Sequence, residues 1–238
     1  MSNDNVVARV RVWDLPTRVF HWSLALSFFG AYLLADSERV RHLHVMFGYT
    51  VFALVVFRLV WGFLGTRYAR FRSFAFGPRA VVDHLKGLAR REVPEHTGHT
   101  PAGSWAIWLM LLLSIVTAVS GYLYFNEIGG EAMEEVHEVA ANGWLFVVFV
   151  HVAGVIVSSI AERQNLARAM VTGYKKLGGA AANVRNASII GALMVAGIAV
   201  FWGTTTLSGR APALPSWAGT HTLVESPRLL SEHDSDDD

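Results

Sequence analysis

The sequence contains no cysteine, and only 16% of its 238 residues carry a charge. Without cysteine, it cannot hold an iron–sulfur cluster through thiolates, attach a c-type haem covalently or form a disulfide. The scarcity of charge, a hydrophobic fraction of 53% and a mean hydropathy of +0.36 are typical of membrane proteins. Because the net charge is +1 and the basic residues are dispersed, we expect no nucleic-acid partner. A redox cofactor would need other ligands, and ten histidines are present.

Five apolar segments are long enough, or nearly so, to cross a bilayer, for which about 20 residues are needed. The first is the shortest, and we expect its helix to start a few residues earlier. The segments predict an all-α integral membrane protein with five transmembrane helices, the last of them near the C-terminus. They cover residues 19–35, 43–64, 105–125, 139–160 and 187–206.

Lysine and arginine indicate the orientation. The connections 1–18, 65–104 and 161–186 carry fifteen of them, and the connections on the opposite side carry four. Because such residues remain on the cytoplasmic side, we expect a multi-pass membrane protein with a cytoplasmic N-terminus and a C-terminus on the outer side. The predicted units are a cytoplasmic segment, a membrane bundle, an additional helix and an acidic tail, disordered or docking a basic partner. These units cover residues 1–18, 19–176, 187–206 and 207–238.

Four histidines lie in apolar surroundings. His137 and His151 are fourteen residues apart on one helix, which separates them by about 21 Å and about 320° of rotation, so they share a face near opposite sides of the bilayer. By the same topology, His21 lies at the depth of His151, and His44 at the depth of His137. An inner and an outer pair of imidazoles is the pattern expected for two bis-histidine haems b. For either histidine alone, a place at the helix rim is the competing interpretation.

Arg58 is the one formal charge inside a predicted span. It follows His44 by fourteen residues, so it lies on the same face but nearer the cytoplasm, where the propionates of an inner haem would need a cation. Snorkelling to the headgroups is the alternative. Gly48 and Gly154 follow the helix 2 and helix 4 histidines at helical spacing and would leave room for a macrocycle, although close helix packing explains them as well.

The six other histidines lie in connections or the tail, where we expect them to be solvated. Within HTGHTPAGS, His96 and His99 could instead contribute to a quinone pocket or to the start of helix 3. No catalytic side chain is predicted, because the membrane histidines divide between two depths and no nucleophile triad, phosphate loop or dinucleotide fingerprint is present. The six are His42, His84, His96, His99, His221 and His233.

Six stretches also carry a family resemblance: VWDLPTRVFHW at 12–22, RHLHVMFGYTVFALVVFRLVWGFLGTRYARF at 41–71, GHTPAGS at 98–104, VHEVAANGW at 136–144, LFVVFVHVAGV at 145–155 and NLARAMVTGYKK at 165–176. They resemble the prokaryotic cytochrome b561 and nickel–iron hydrogenase b-type cytochrome family. The resemblance implies a four-helix bundle that holds two haems b (protohaem IX), followed in this chain by a fifth, C-terminal transmembrane helix, and it agrees with the pairing by depth. It also implies a place in the bacterial inner membrane, with the C-terminus in the periplasm. The implied iron ligands are His21 and His151 for the inner haem, and His44 and His137 for the outer. The fifth segment and the acidic tail depart from the simplest family pattern.

The resemblance implies transmembrane electron transfer. Similar proteins pass electrons between the quinone pool and a protein at one side of the membrane, so the expected partners are ubiquinone or menaquinone, membrane lipid, and a c-type cytochrome or a dehydrogenase or hydrogenase subunit. One branch instead oxidises superoxide and reduces quinone, which is the first alternative. A haem-free membrane anchor is the second. Bis-histidine ligation leaves no open iron site, which favours electron exchange over substrate activation.

Overall fold

The computed structural model describes residues 7–90, 96–178 and 183–208. Within these ranges the chain is mainly helical, with one small two-stranded sheet. The acidic tail predicted over 207–238 lies almost wholly outside the described residues, as do His221 and His233. In chain order the elements are β1 (Val7–Arg11), α1 (Leu15–Leu33), α2 (Arg41–Leu64), α3 (Pro78–Arg90), α4 (Pro101–Phe125), α5 (Gly130–Ala161), α6 (Leu166–Thr172), β2 (Tyr174–Gly178) and α7 (Ser188–Ser208).

Helix α1 begins at a buried carboxylate. Asp14 Oδ1 accepts a hydrogen bond from the backbone N–H of Thr17 at 2.8 Å, and a proline in the first turn has no N–H to leave unsatisfied. The other carboxylate oxygen accepts from Thr66 Oγ1 at 2.6 Å and from the indole N–H of Trp61 at 3.2 Å. Because Asp14 is fully buried, its side chain fastens the start of α1 to the end of α2.

In the part of the chain that the structure describes, four helices are long and apolar enough to cross a membrane: Glu38–Leu64, Pro101–Phe125, Gly130–Ala161 and Ser188–Leu207. They correspond to the second, third, fourth and fifth apolar segments of the sequence. Helix α1 has 19 residues but contains Arg18 and His21, and it is not among the four. A fifth crossing by α1 therefore remains a prediction.

The helices pack through aromatic contacts. Phe28 of α1 lies against Trp144 of α5 with ring centroids 4.3 Å apart. Helix α7 is attached to α2 by Trp202, whose indole N–H donates to Thr50 Oγ1 at 3.1 Å. Many apolar side chains on α2, α5 and α7 point away from the protein, as expected for helices that are apolar on all sides and face lipid.

A short antiparallel sheet, which the sequence analysis did not predict, closes one end of the bundle. Strands β1 and β2 pair along their five residues each. Just after β1, the backbone N–H groups of Val12 and Trp13 donate to the carbonyl of Gly173 at 2.9 and 3.1 Å. We call this the sheet end. It contains the starts of α1, α4 and α7 and the ends of α2 and α5; the opposite end, with the turn at 126–129, is the loop end.

Candidate functional site

The two outer histidines meet near the loop end. His44 lies close to the start of α2, and His137 lies about two turns into α5. Their ring centroids are 6.1 Å apart, and their planes are inclined by 73°. The structure therefore brings together the two residues that sequence depth paired as the outer site.

Each outer imidazole is oriented by a backbone carbonyl. His44 Nδ1 lies 2.8 Å from the carbonyl oxygen of Ala31 in α1, and His137 Nδ1 lies 2.8 Å from that of Thr117 in α4. A carbonyl oxygen can only accept, so Nδ1 carries the proton in both rings. The basic Nε2 atoms are then available for a metal, which is how second-shell contacts fix a ligating histidine.

The outer pair fits one haem iron. When two imidazoles bind one metal ion from opposite sides with nitrogen–metal bonds of about 2 Å, their ring centres lie about 6 Å apart.

The glycines near the outer pair differ in the space around them. A Cβ at Gly121 would lie 2.6 Å from His137 Cε1, so this glycine gives room to the ligand ring, whereas a Cβ at Gly48 would meet no protein atom within 4 Å. Space beside α2 is consistent with a macrocycle there.

The inner histidines approach each other nearer the sheet end. His21 of α1 and His151 of α5 lie close enough to interact electrostatically. Among the described residues, His21 Nδ1 is buried without a hydrogen-bond partner, and a Cβ at Gly154 would meet no protein atom within 4 Å. Because a buried ring nitrogen without a partner is costly, this donor set fits a second metal-centred group.

Arg58 does not snorkel, so that alternative from the sequence was wrong. Its side chain is buried in the protein, and Nη1 donates to the carbonyl oxygen of Ala69 at 3.0 Å. The guanidinium carbon lies 5.0 Å from the ring centroid of Phe71, in the connection that folds back over α2. Gly62 permits this return, because a Cβ there would overlap the Phe71 ring. Arg58 also interacts electrostatically with Asp14.

His99 is a site residue whose surroundings the sequence did not reveal. Its ring lies between Trp13 and Phe74, with both centroid separations at 4.6 Å, and its Nδ1 is buried without a hydrogen-bond partner among the described residues. It interacts electrostatically with both inner histidines. Burial, followed by the positive charges of Arg58 and Lys175, lowers the pKa of His99 to about 3, so the ring is neutral near pH 7.

A cavity of about 300 Å³ lies at the sheet end beside His99. Aromatic side chains and hydrogen-bonding groups line it together, which is the character of a small-molecule site. We call it the sheet-end cavity. Its walls are formed by Arg67, Tyr68, Ser73, Phe76, His96, Thr97, Gly98 and His99.

The expectation that the histidines of the connections are solvated was wrong for His84 as well. It is buried on α3, edge-on to His96 with ring centroids 5.3 Å apart. Burial, followed by the neighbouring His96, lowers the pKa of His84. His42, in contrast, is exposed as predicted. Helical periodicity would have placed His84 on the inward face of α3 with Val81 and Leu88, and that was the available signal.

The chain has relatives among known proteins. The chain is 24% identical to the "Probable Ni/Fe-hydrogenase 1 B-type cytochrome subunit" of Escherichia coli strain K12, over 73% of this chain and 93% of the relative. It has the same identity and coverage with the protein of that name from Escherichia coli O157:H7. No solved structure matches. The sequence profile of prokaryotic cytochrome b561 matches residues 12–173, well over half of the chain, and the chain therefore belongs to the prokaryotic cytochrome b561 family.

Proposed function

We propose that this protein is a dihaem relay that moves single electrons across the membrane between the quinone pool and a redox protein. As a family member it is a membrane cytochrome b, and b-type cytochromes carry haem b and transfer electrons. The proposal adds two haems, quinone and a partner. The observation that carries it is the outer pair, because the ring centroids of His44 and His137 lie 6.1 Å apart and both Nδ1 atoms are hydrogen-bonded to carbonyls.

The protein's own residues hold and shield the cofactors. In the proposal, His21 and His151 bind the inner haem, and His44 and His137 bind the outer one. Haem b supplies one-electron exchange at its iron. The helices exclude water, and the two carbonyl contacts keep the outer rings in the tautomer that ligates. Arg58 contributes a fixed positive charge on the inner side, where it favours negatively charged groups and the reduced state of a neighbouring centre.

Quinone is proposed to react at the sheet-end cavity. Tyr68 and Phe76 offer aromatic faces to a quinone ring, while the imidazoles of His96 and His99 are suited to hydrogen bonds with quinone oxygens. The electrostatic interaction of His99 with His21 and His151 indicates that this cavity lies near the inner pair. Such proximity is what electron exchange between a quinone and the inner haem requires.

The orientation and the partner are also proposals. The positive charges collected on the sheet-end connections favour a cytoplasmic sheet end, with the outer pair then near the periplasm. The named relatives are hydrogenase cytochrome subunits, which supports a redox enzyme as partner. A soluble c-type cytochrome that docks on the periplasmic side is the other candidate. The turn and first residues of α5 at the loop end carry five glutamates and could receive a basic surface.

A pyridine haemochrome assay on the detergent-purified protein, with protein measured independently, tests the relay. We expect two haems b per chain. One haem would refute one of the pairs, and none in folded protein would favour the anchor alternative. Quinone reduction assayed with superoxide alone, and then with an added protein donor, separates a free-standing oxidoreductase from a relay. Turnover with superoxide in the absence of a protein partner would contradict the relay.

A further inference from the structure

Lys175 is a buried lysine that the electron relay does not use. It belongs to β2, but its side chain is only 3% exposed. Its Nζ donates to the backbone carbonyl oxygen of His96 at 2.8 Å and lies 3.5 Å from Glu162 Oε2. The next residue in the strand, Lys176, is exposed. Two adjacent lysines therefore have opposite environments, and the buried one contacts the cavity wall.

Burial of this ion pair is poorly explained by stability alone. Removing an ammonium and a carboxylate from water costs several kcal/mol per ion, and well-packed apolar residues are often at least as stabilising. Glu162 also caps the C-terminal end of α5, where the helix dipole disfavours a carboxylate. A nearby cation offsets that repulsion. What the pair adds is a directed link between α5, β2 and the segment that carries His96.

That segment is one wall of the sheet-end cavity. Residues 96–99 face Tyr68, and a Cβ at Gly98 would lie 3.5 Å from the Tyr68 ring, in ordinary contact. His99, at the end of the wall, is held between Trp13 and Phe74. The wall is thus fixed by ring packing at one end and by the lysine at the other.

We propose that Lys175 is a positioning residue for the sheet-end cavity, whose ammonium holds residues 96–99 against the end of α5 and so sets the width of the pocket for a quinone headgroup. The role of quinone rests on the proposed function. The hydrogen bond between Lys175 and the backbone of His96 does not depend on that proposal. Without the hydrogen bond to His96, the wall moves and the headgroup is held less well, while the haem ligands on α1, α2 and α5 stay in place.

The test uses the haem-loaded protein and three variants. Lys175→Met removes the donor while retaining much of the side-chain length, Lys176→Met is the matched control, and Glu162→Gln removes the counter-charge but keeps an acceptor oxygen. We expect Lys175→Met to raise the KM for a short-chain quinone about tenfold with a smaller change in kcat. We expect Glu162→Gln to raise it about threefold, and Lys176→Met to match the wild type. An unchanged KM in folded Lys175→Met, or an equal rise in Lys176→Met, would overturn the proposal.

Hydrogen exchange in peptides covering residues 96–99 provides a readout that does not depend on quinone. We expect faster exchange there in Lys175→Met and Glu162→Gln, with the haem content of the wild type. If Lys175→Met does not fold, the test of the positioning role rests on Glu162→Gln. Hydrogen exchange at residues 96–99 and a KM that both match the wild type in that variant would reject the role. A wild-type protein that does not react with quinone would refute the quinone reaction alone, because the exchange result would still decide whether Lys175 holds the wall.

Discussion

The imidazole ring centroids of His44 and His137 lie 6.1 Å apart, and each ring is oriented by the carbonyl of a different neighbouring helix. Ala31 supplies one carbonyl from α1, and Thr117 supplies the other from α4. The outer site is therefore built from α1, α2, α4 and α5 together. Because four helices support this ligand pair, removal of either ring should abolish haem binding at the whole outer site.

Substitution of the ligands should remove haems in pairs. We predict that His44→Ala and His137→Ala each abolish the same outer haem, and that His21→Ala and His151→Ala each abolish the inner one, because each pair of histidines would hold one iron and the loss of either member weakens that site. Haem stoichiometry and redox titration of the purified variants measure this. His42→Ala is the control, since that side chain is exposed and should leave two haems. Two haems in folded His151→Ala would refute the inner assignment.

Gly121 should be essential for the outer site. A Cβ at this position would lie 2.6 Å from His137 Cε1 and 2.7 Å from Nδ1, so Gly121→Ala must displace the ring from the Thr117 carbonyl. We predict that the outer haem is lost and the inner one retained. Haem content and a redox titration followed by haem absorbance measure this. Gly143→Ala is the matched control on α5, because its Cβ would meet Leu113 only at 3.8 Å. Equal haem content in the two variants would contradict this account.

The sequence predicted four of the long apolar helices, but not the contacts that complete the sheet end, and its pairing of the histidines stays a prediction. Hydropathy located α2, α4, α5 and α7, and helical rise alone placed His137 and His151 at different depths. No local sequence pattern shows that Asp14 would accept hydrogen bonds from Trp61 and Thr66, because those bonds join residues 47 and 52 positions apart. The burial of His99 likewise depends on aromatic rings from separate segments. Chain-distant contacts of this kind have no periodic signature.

Asp14 should be a stability residue. Asp14→Ala removes the helix cap and leaves the buried indole N–H of Trp61 without its acceptor, so we predict a loss of about 2–4 kcal/mol in the free energy of unfolding. Detergent-induced unfolding, followed by the haem absorbance, measures it. Asp83→Ala serves as the control, because its pair with Arg79 is solvent-exposed at 4.0 Å and should contribute little. Similar midpoints for both variants would show that the Asp14 contacts do not stabilise the fold.

His99 should make the fold acid-sensitive. Its pKa falls from 6.5 to about 3 in the folded protein, so the unfolded chain binds a proton more readily. Stability is therefore complete above pH 6.5 and decreases as the pH falls toward 3, by about 2 kcal/mol at pH 5. His99→Phe retains an aromatic ring beside Trp13 and Phe74 and should lose less stability between pH 7 and 5, as measured by unfolding midpoints. A variant with the same acid loss as the wild type would exclude His99 as the cause.

Arg58 should raise the potential of the proposed inner haem. Its charge is buried, lies near Asp14 and interacts with His99, which in turn interacts with both inner histidines. Reduction adds an electron, and a nearby cation stabilises that state, so Arg58→Gln should lower the inner midpoint potential by on the order of 50 mV while the outer potential changes little. Arg79→Gln is the control, because the Arg79 side chain is exposed and its charge is screened by water. Potentiometric titration of both variants resolves the two centres. If the inner potential is equal in Arg58→Gln and Arg79→Gln, the buried guanidinium supports the connection through Ala69 and Phe71 and does not tune the relay.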